Sequence, residues 1–168
     1  MADRYIKDVA GTLSEQEALT ASAGAGDAGK IPALDAAGRL DQSMMPVGIG
    51  ADTASIVTSE NLAAGDYVNV WNNTGAFNVR KADASTAGKE AHGFVLAAVT
   101  APAAATVYFE GPNTQVSGQT PGKVFLSTTP GLGTATAPSA SGNVVQQIGV
   151  ATSATVVNFE QGPRWVKA

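Results

Sequence analysis

Pro121-Gly122-Lys123-Val124-Phe125-Leu126-Ser127 sets a turn directly against a short apolar run. Proline presets φ at the second position of a type II turn and glycine takes the positive φ of the third, so the residues from Lys123 onward read as a strand. The same punctuation recurs on both sides. Upstream, Thr106-Val107-Tyr108-Phe109-Glu110 stops at Gly111-Pro112, and before it Gly93-Phe94-Val95-Leu96-Ala97-Ala98-Val99 is a continuous apolar run, read as a strand buried on both faces. Downstream, Pro130-Gly131 repeats the turn, and Val144 to Ala151 and Thr155 to Glu160 alternate as a closing hairpin around Thr152-Ser153-Ala154. From His92 to Pro163 the only formal charges are Glu110, Lys123 and Glu160.

Further upstream the pattern continues. Ser55-Ile56-Val57-Thr58 is followed by Asp66-Tyr67-Val68-Asn69-Val70-Trp71, in which Val68 and Val70 share one face and Tyr67, Asn69 and Trp71 the other. Asn72-Asn73-Thr74-Gly75 then reverses the chain, as a four-residue hairpin loop, into Ala76-Phe77-Asn78-Val79-Arg80. Turn signals at intervals of roughly eight to twelve residues, with no helical period between them, predict an all-β fold, a small barrel or sandwich, over residues 54–168.

Residues 1–53 read differently, as an extended N-terminal arm. Ser14-Glu15-Gln16-Glu17 has the form of a capping box and predicts one short helix over 14–22, ended by the glycines from Gly24 to Gly29. From Lys30 to Gly50 the apolar residues fit neither the helical nor the strand period, and prolines and glycines interrupt them. This is a strap with isolated anchors: Ile31, Leu34, Leu40, Met44, Met45, Pro46 and Ile49. Methionine suits such a role because its unbranched thioether adapts to a partner groove. At the other end, Trp165 and Val166 are candidates for a C-terminal anchor.

Composition narrows the function. The chain has 168 residues, 44% hydrophobic and only 14% charged, with a net charge of −4. An acidic balance with dispersed Lys and Arg gives no footprint for nucleic acid. So low a charged fraction leaves surface suited to contact with other copies. No cysteine is present, compatible with assembly in a reducing cytoplasm. The N-terminus lacks the apolar core of a signal peptide and no apolar run is long enough to span a bilayer, so neither secretion nor membrane insertion is expected.

Each stretch that resembles a catalytic or ligand motif has a plainer reading. Gly24-Ala25-Gly26-Asp27-Ala28-Gly29-Lys30 has the spacing of a phosphate-binding loop, but Ile31 stands where the magnesium-binding hydroxyl belongs and Pro32 follows, so a linker is the better reading. His92, the single histidine, has no evident catalytic partners, and Asp27, Asp35 and Asp41 lack the dense spacing of a calcium loop. Trp71 and Trp165 as a sugar-stacking platform would make a carbohydrate-binding module, the rival from another functional class; core packing for Trp71 and a terminal anchor for Trp165 are preferred. No enzyme activity, cofactor or metal is expected.

The strap, Gly29-Lys30-Ile31-Pro32-Ala33-Leu34-Asp35 through Arg39-Leu40-Asp41-Gln42-Ser43-Met44-Met45-Pro46-Val47-Gly48-Ile49-Gly50, resembles a segment near the start of small virion structural proteins of tailed bacteriophages. Ala91-His92-Gly93-Phe94-Val95, Thr120 to Ser127 and Val144-Val145-Gln146-Gln147-Ile148-Gly149-Val150-Ala151 resemble the β domain of phage head decoration, or cement, proteins. The resemblance implies a β-barrel, commonly a homotrimer, on the outer capsid surface, with an N-terminal arm that grips the major capsid protein and stabilises the expanded head. A tail, fibre or baseplate component is the alternative among virion proteins. Localisation would be the virion, after assembly in the host cytoplasm.

Overall fold

The computed structural model describes residues 3–45 and 50–168. The chain divides into two compact units, Met1–Gly50 and Ala51–Ala168.

In the first unit, β1 (Arg4–Val9) and β2 (Thr12–Glu17) form an antiparallel hairpin. Val9 pairs with Thr12, leaving Ala10 and Gly11 as a two-residue loop, both at positive φ (52° and 84°). That is the geometry of a type I′ turn, whose twist matches the strands it joins. The Asp8 carboxylate accepts the Gly11 amide proton at 2.8 Å and holds the turn shut. The helix predicted over 14–22 is absent. Ser14 and Glu17 lie within β2, where alternation governs: Ser14 and Gln16 are half-buried while Leu13, Glu15 and Glu17 are exposed. A capping box supplies only local hydrogen bonds, whereas the turn before it commits six residues on each side to a ladder.

The second unit is all-β. β3 (Thr53–Val57), β4 (Tyr67–Asn73), β5 (Ala76–Lys81), β6 (Gly93–Val95) and β7 (Ala104–Tyr108) form one antiparallel sheet in the order β3-β7-β6-β4-β5. β8 (Gly111–Asn113), β9 (Gly122–Leu126), β10 (Gly133–Thr134), β11 (Val144–Ser153) and β12 (Val156–Phe159) form a second in the order β10-β9-β11-β12-β8, and β13 (Arg164–Val166) pairs with the start of β11. Neither sheet closes into a barrel; a single bridge between Thr58 and Val79 links the two edges of the first. Of the two predicted architectures, the sandwich fits.

Two cores follow from the alternation of side chains. Tyr67 on β4 and Phe94 on β6 join Val124, Leu126, Val144, Ile148, Val157 and Phe159 from the second sheet. Their successors Val68 and Val95 point the other way, to Val79, Ala105, Val107 and Leu62, a core held within the first sheet. β6 is thus buried on both faces as its sequence predicts, but over Gly93–Val95 alone, because beyond Leu96 the chain leaves the sheet and Ala97 and Ala98 are exposed.

The turns explain most element ends. Asn73 pairs with Ala76, so the β4–β5 loop is the two residues Thr74 and Gly75, tighter than the predicted four. Thr129-Pro130-Gly131-Leu132 closes as predicted, with Gly131 at φ 83° and the Leu132 amide donating to the Thr129 carbonyl. β11 and β12 form the expected closing hairpin, with a bulge between Ala151 and Ser153. Pro112, which cannot donate to a ladder, sits on β8 at the edge of its sheet.

Candidate attachment surface

No described residue from Asp3 to Met45 is buried. The first unit holds its shape by hydrogen bonds. The Leu19 amide donates to the Ile31 carbonyl and the Ala33 amide to Leu19, drawing the strap beside the end of the hairpin. The Ser43 hydroxyl accepts from the Ser22 amide at 2.8 Å. Asp27 accepts from the Ala23 amide at 2.7 Å and from Lys30 Nζ at 2.8 Å, and these two partners hold its carboxyl below its ordinary value while Lys30 is raised in return. In Gly24–Lys30 the charge partner of the lysine is therefore the chain's own carboxylate, a short 3₁₀ turn, Ala25–Asp27, occupies the middle of the loop, and no helix opens at Lys30-Ile31-Pro32, where a phosphate loop would begin one.

A closed loop follows. The Asp35 amide donates to the Arg39 carbonyl and the Gly38 amide to the Asp35 carbonyl, while Asp35 Oδ1 accepts from the amides of Ala37 and Arg39 at 2.8 and 2.9 Å. Leu34 and Leu40 flank its base and are 58% and 41% exposed. Ile31 and Met45 are exposed as well. Met44 is half-buried and lines a cavity of 300 Å³ with Leu19, Pro32 and Ser43. Pro46 and Ile49 lie outside the described residues. Sequence reading missed Ile6 and Leu13, 64% and 72% exposed on one face of the β1–β2 hairpin. The signal for them was Asp8-Val9-Ala10-Gly11-Thr12, which matches Asn72-Asn73-Thr74-Gly75-Ala76 in form: an Asn or Asp three residues before a glycine, its oxygen accepting the glycine amide in both.

In the second unit, Trp165 and Val166 lie on β13, paired with Val145 and Val144, and both are exposed. Trp71 is half-buried, not in the core as predicted. The Arg80 guanidinium lies 4.5 Å over its ring and its indole N–H donates to Ser59, so one stacking face is occupied. His92 is half-buried; its Nδ1 accepts the Val70 amide at 3.1 Å, and burial, then the Arg164 charge, push its pKa down despite Glu90. This is a neutral, structural imidazole. One end of the unit carries a groove of 530 Å³ over the rings of Phe94, Tyr108 and Phe159, with Glu110 and Glu160 in its lining.

Among the described residues no three His, Cys, Asp or Glu side chains gather as a metal site, and no helix is long and apolar enough to cross a membrane. No family model, curated protein or solved structure matches the chain.

Proposed function

We propose that this protein is a virion structural protein, a capsid decoration or cement protein that binds the outer surface of the major capsid protein shell and stabilises the expanded head. The observation that carries this reading is the N-terminal unit, which lacks a buried residue among those described yet displays Ile6, Leu13, Ile31, Leu34, Leu40 and Met45 to solvent. A two-stranded hairpin with a strap is marginal by itself, and apolar side chains set out singly on such a scaffold gain by burial against a partner, about 25 cal/mol for each Å² covered.

The β unit supplies the complementary half. Its sheets and two cores make a firm body whose long, weakly charged segment is suited to contact between copies, as in a homotrimer. Linking several arms through one oligomer makes each later attachment intramolecular and raises avidity by about 10²–10⁴ where the spacing matches the lattice.

The test is to mix purified protein with undecorated expanded heads and sediment them. Full-length protein is expected to travel with the heads and protein lacking residues 1–50 to stay behind. Absence of binding, or binding that survives the deletion, refutes the proposal, and attachment to tails in place of heads moves the protein to the tail, fibre or baseplate class.

A further inference from the structure

The groove in the β unit holds a concentration of charge that the surrounding sequence does not. In the stretch from His92 to Pro163 the two carboxylates are Glu110 and Glu160, some fifty positions apart, and both converge on this one groove while Lys123 does not line it. Its floor is aromatic. Phe94 stacks on Tyr108 with centroids 5.4 Å apart and meets Phe159 at 5.7 Å, and Leu96 adds an aliphatic wall. Apolar rings with two acids and no basic residue in the lining call for an occupant that is aliphatic and carries a cation.

The arm contains that chemistry once. Of its four cationic side chains, Arg4 pairs with Glu15, Lys30 with Asp27, and Lys7 donates to the Gly29 backbone carbonyl; that of Arg39 alone makes neither a hydrogen bond nor an ion pair among the described residues. Arg39 adjoins Leu40, and the Asp35–Arg39 hydrogen bonds set Leu34 across the loop from it. The Asp35 carboxylate, engaged by two backbone amides, is drawn into the loop it closes. Because the loop is already closed, little ordering cost remains on docking.

The geometry points to the loop Leu34–Leu40 of a second copy of this chain as the occupant of the groove, with its two leucines on the aromatic floor and Arg39 between Glu110 and Glu160. Ala51, where the β unit begins, itself lines the groove, so each arm departs at the rim of its own binding site. Five residues, 46–50, separate the arm's last described hydrogen bonds from Ala51, a reach of up to about 17 Å. Repeated head to tail with a closing rotation, this contact makes a ring. It assigns Leu34 and Leu40 to a neighbouring copy and leaves Ile31, Met44, Met45 and the Ile6–Leu13 face for a shell.

Solution mass without any capsid present tests this separately from the proposed function. Wild-type protein is expected to be oligomeric at micromolar concentration. Arg39→Glu, and separately Glu110→Lys with Glu160→Lys, should each weaken association at least tenfold, and all three changes together should restore most of it. The three charged residues and the flanking leucines are solvent-facing, and an unchanged far-ultraviolet circular dichroism spectrum in each variant verifies that folding is intact; Leu34→Ser with Leu40→Ser, which leaves every charge in place, should also dissociate the oligomer. A monomeric wild type, including one whose own arm fills its groove, overturns the inference. So does an oligomer indifferent to the reversals or not rescued by their combination.

Discussion

Gln146 shows how much can rest on one side chain. It is fully buried on β11, and its amide forms a paired contact with the backbone of Ala91: Oε1 accepts the Ala91 amide and Nε2 donates to the Ala91 carbonyl, each at 2.8 Å. Gln161 adds a weaker donor to the same carbonyl at 3.2 Å. Gln146 thus does for the loop before β6 what a neighbouring strand would do. Gln146→Leu keeps the bulk but orphans a buried amide, a loss of about 1–3 kcal/mol, and chemical denaturation should show it as a lower midpoint with unchanged slope. Gly149, three residues on, is constrained from the opposite direction. At φ 147° its Cα lies so close to the Asn158 carbonyl that any side chain would collide with backbone. Neither role was legible in Val144-Val145-Gln146-Gln147-Ile148-Gly149, where alternation predicts a strand but says nothing of what meets it across the molecule.

At the level of elements, what could be read ahead was whatever is determined locally. Strands bounded by Asn72-Asn73-Thr74-Gly75 and Pro130-Gly131 were found, because those turn residues impose the reversal and the alternation chooses the face, whereas Gly111-Pro112 lies inside β8 and Gly122 opens β9. The arm hairpin was misread because Ser14 and Glu17 match a helix signal, while the stronger evidence, Asp8 with Gly11, lay upstream of it. The exposed apolar side chains of Ile31, Leu34, Leu40 and Met45 were visible as residues that fit no period. The groove was not, since Phe94, Tyr108 and Phe159 come together only through the pairing of separate strands. His92 provides a test of the β4–β6 junction. Its Nδ1 must stay unprotonated to accept the Val70 amide, and its folded pKa is lowered from 6.5. Above pH 6.5 the group contributes no pH dependence; as pH falls below that value the unfolded chain takes up the proton first, and stability declines until the folded pKa is reached. Melting temperature should therefore drop as pH falls below about 6.5, and His92→Gln, which keeps an acceptor but cannot titrate there, should flatten that part of the profile.

On the scale of the whole molecule the two units differ in what sustains them. The β unit has two buried cores, and the N-terminal unit has backbone hydrogen bonds, Asx turns and exposed ion pairs, of which the last contribute little. Hydrogen exchange should reveal this directly: amides of residues 3–45 are expected to exchange orders of magnitude faster than those of β4, β6 and β11 in the free protein, and to slow when the arm is engaged. Uniform protection across both units would show that the arm has a stability the described contacts do not supply.

The three residues of β6 have one more consequence. Phe94 belongs to one core and Val95 to the other, so this short strand is a party wall: neither room can be demolished while its neighbour stands. Heat should therefore take the β unit apart in a single calorimetric event, and a blow struck at either side, such as thinning Phe159 or Val107, should be felt equally by probes placed on the far one.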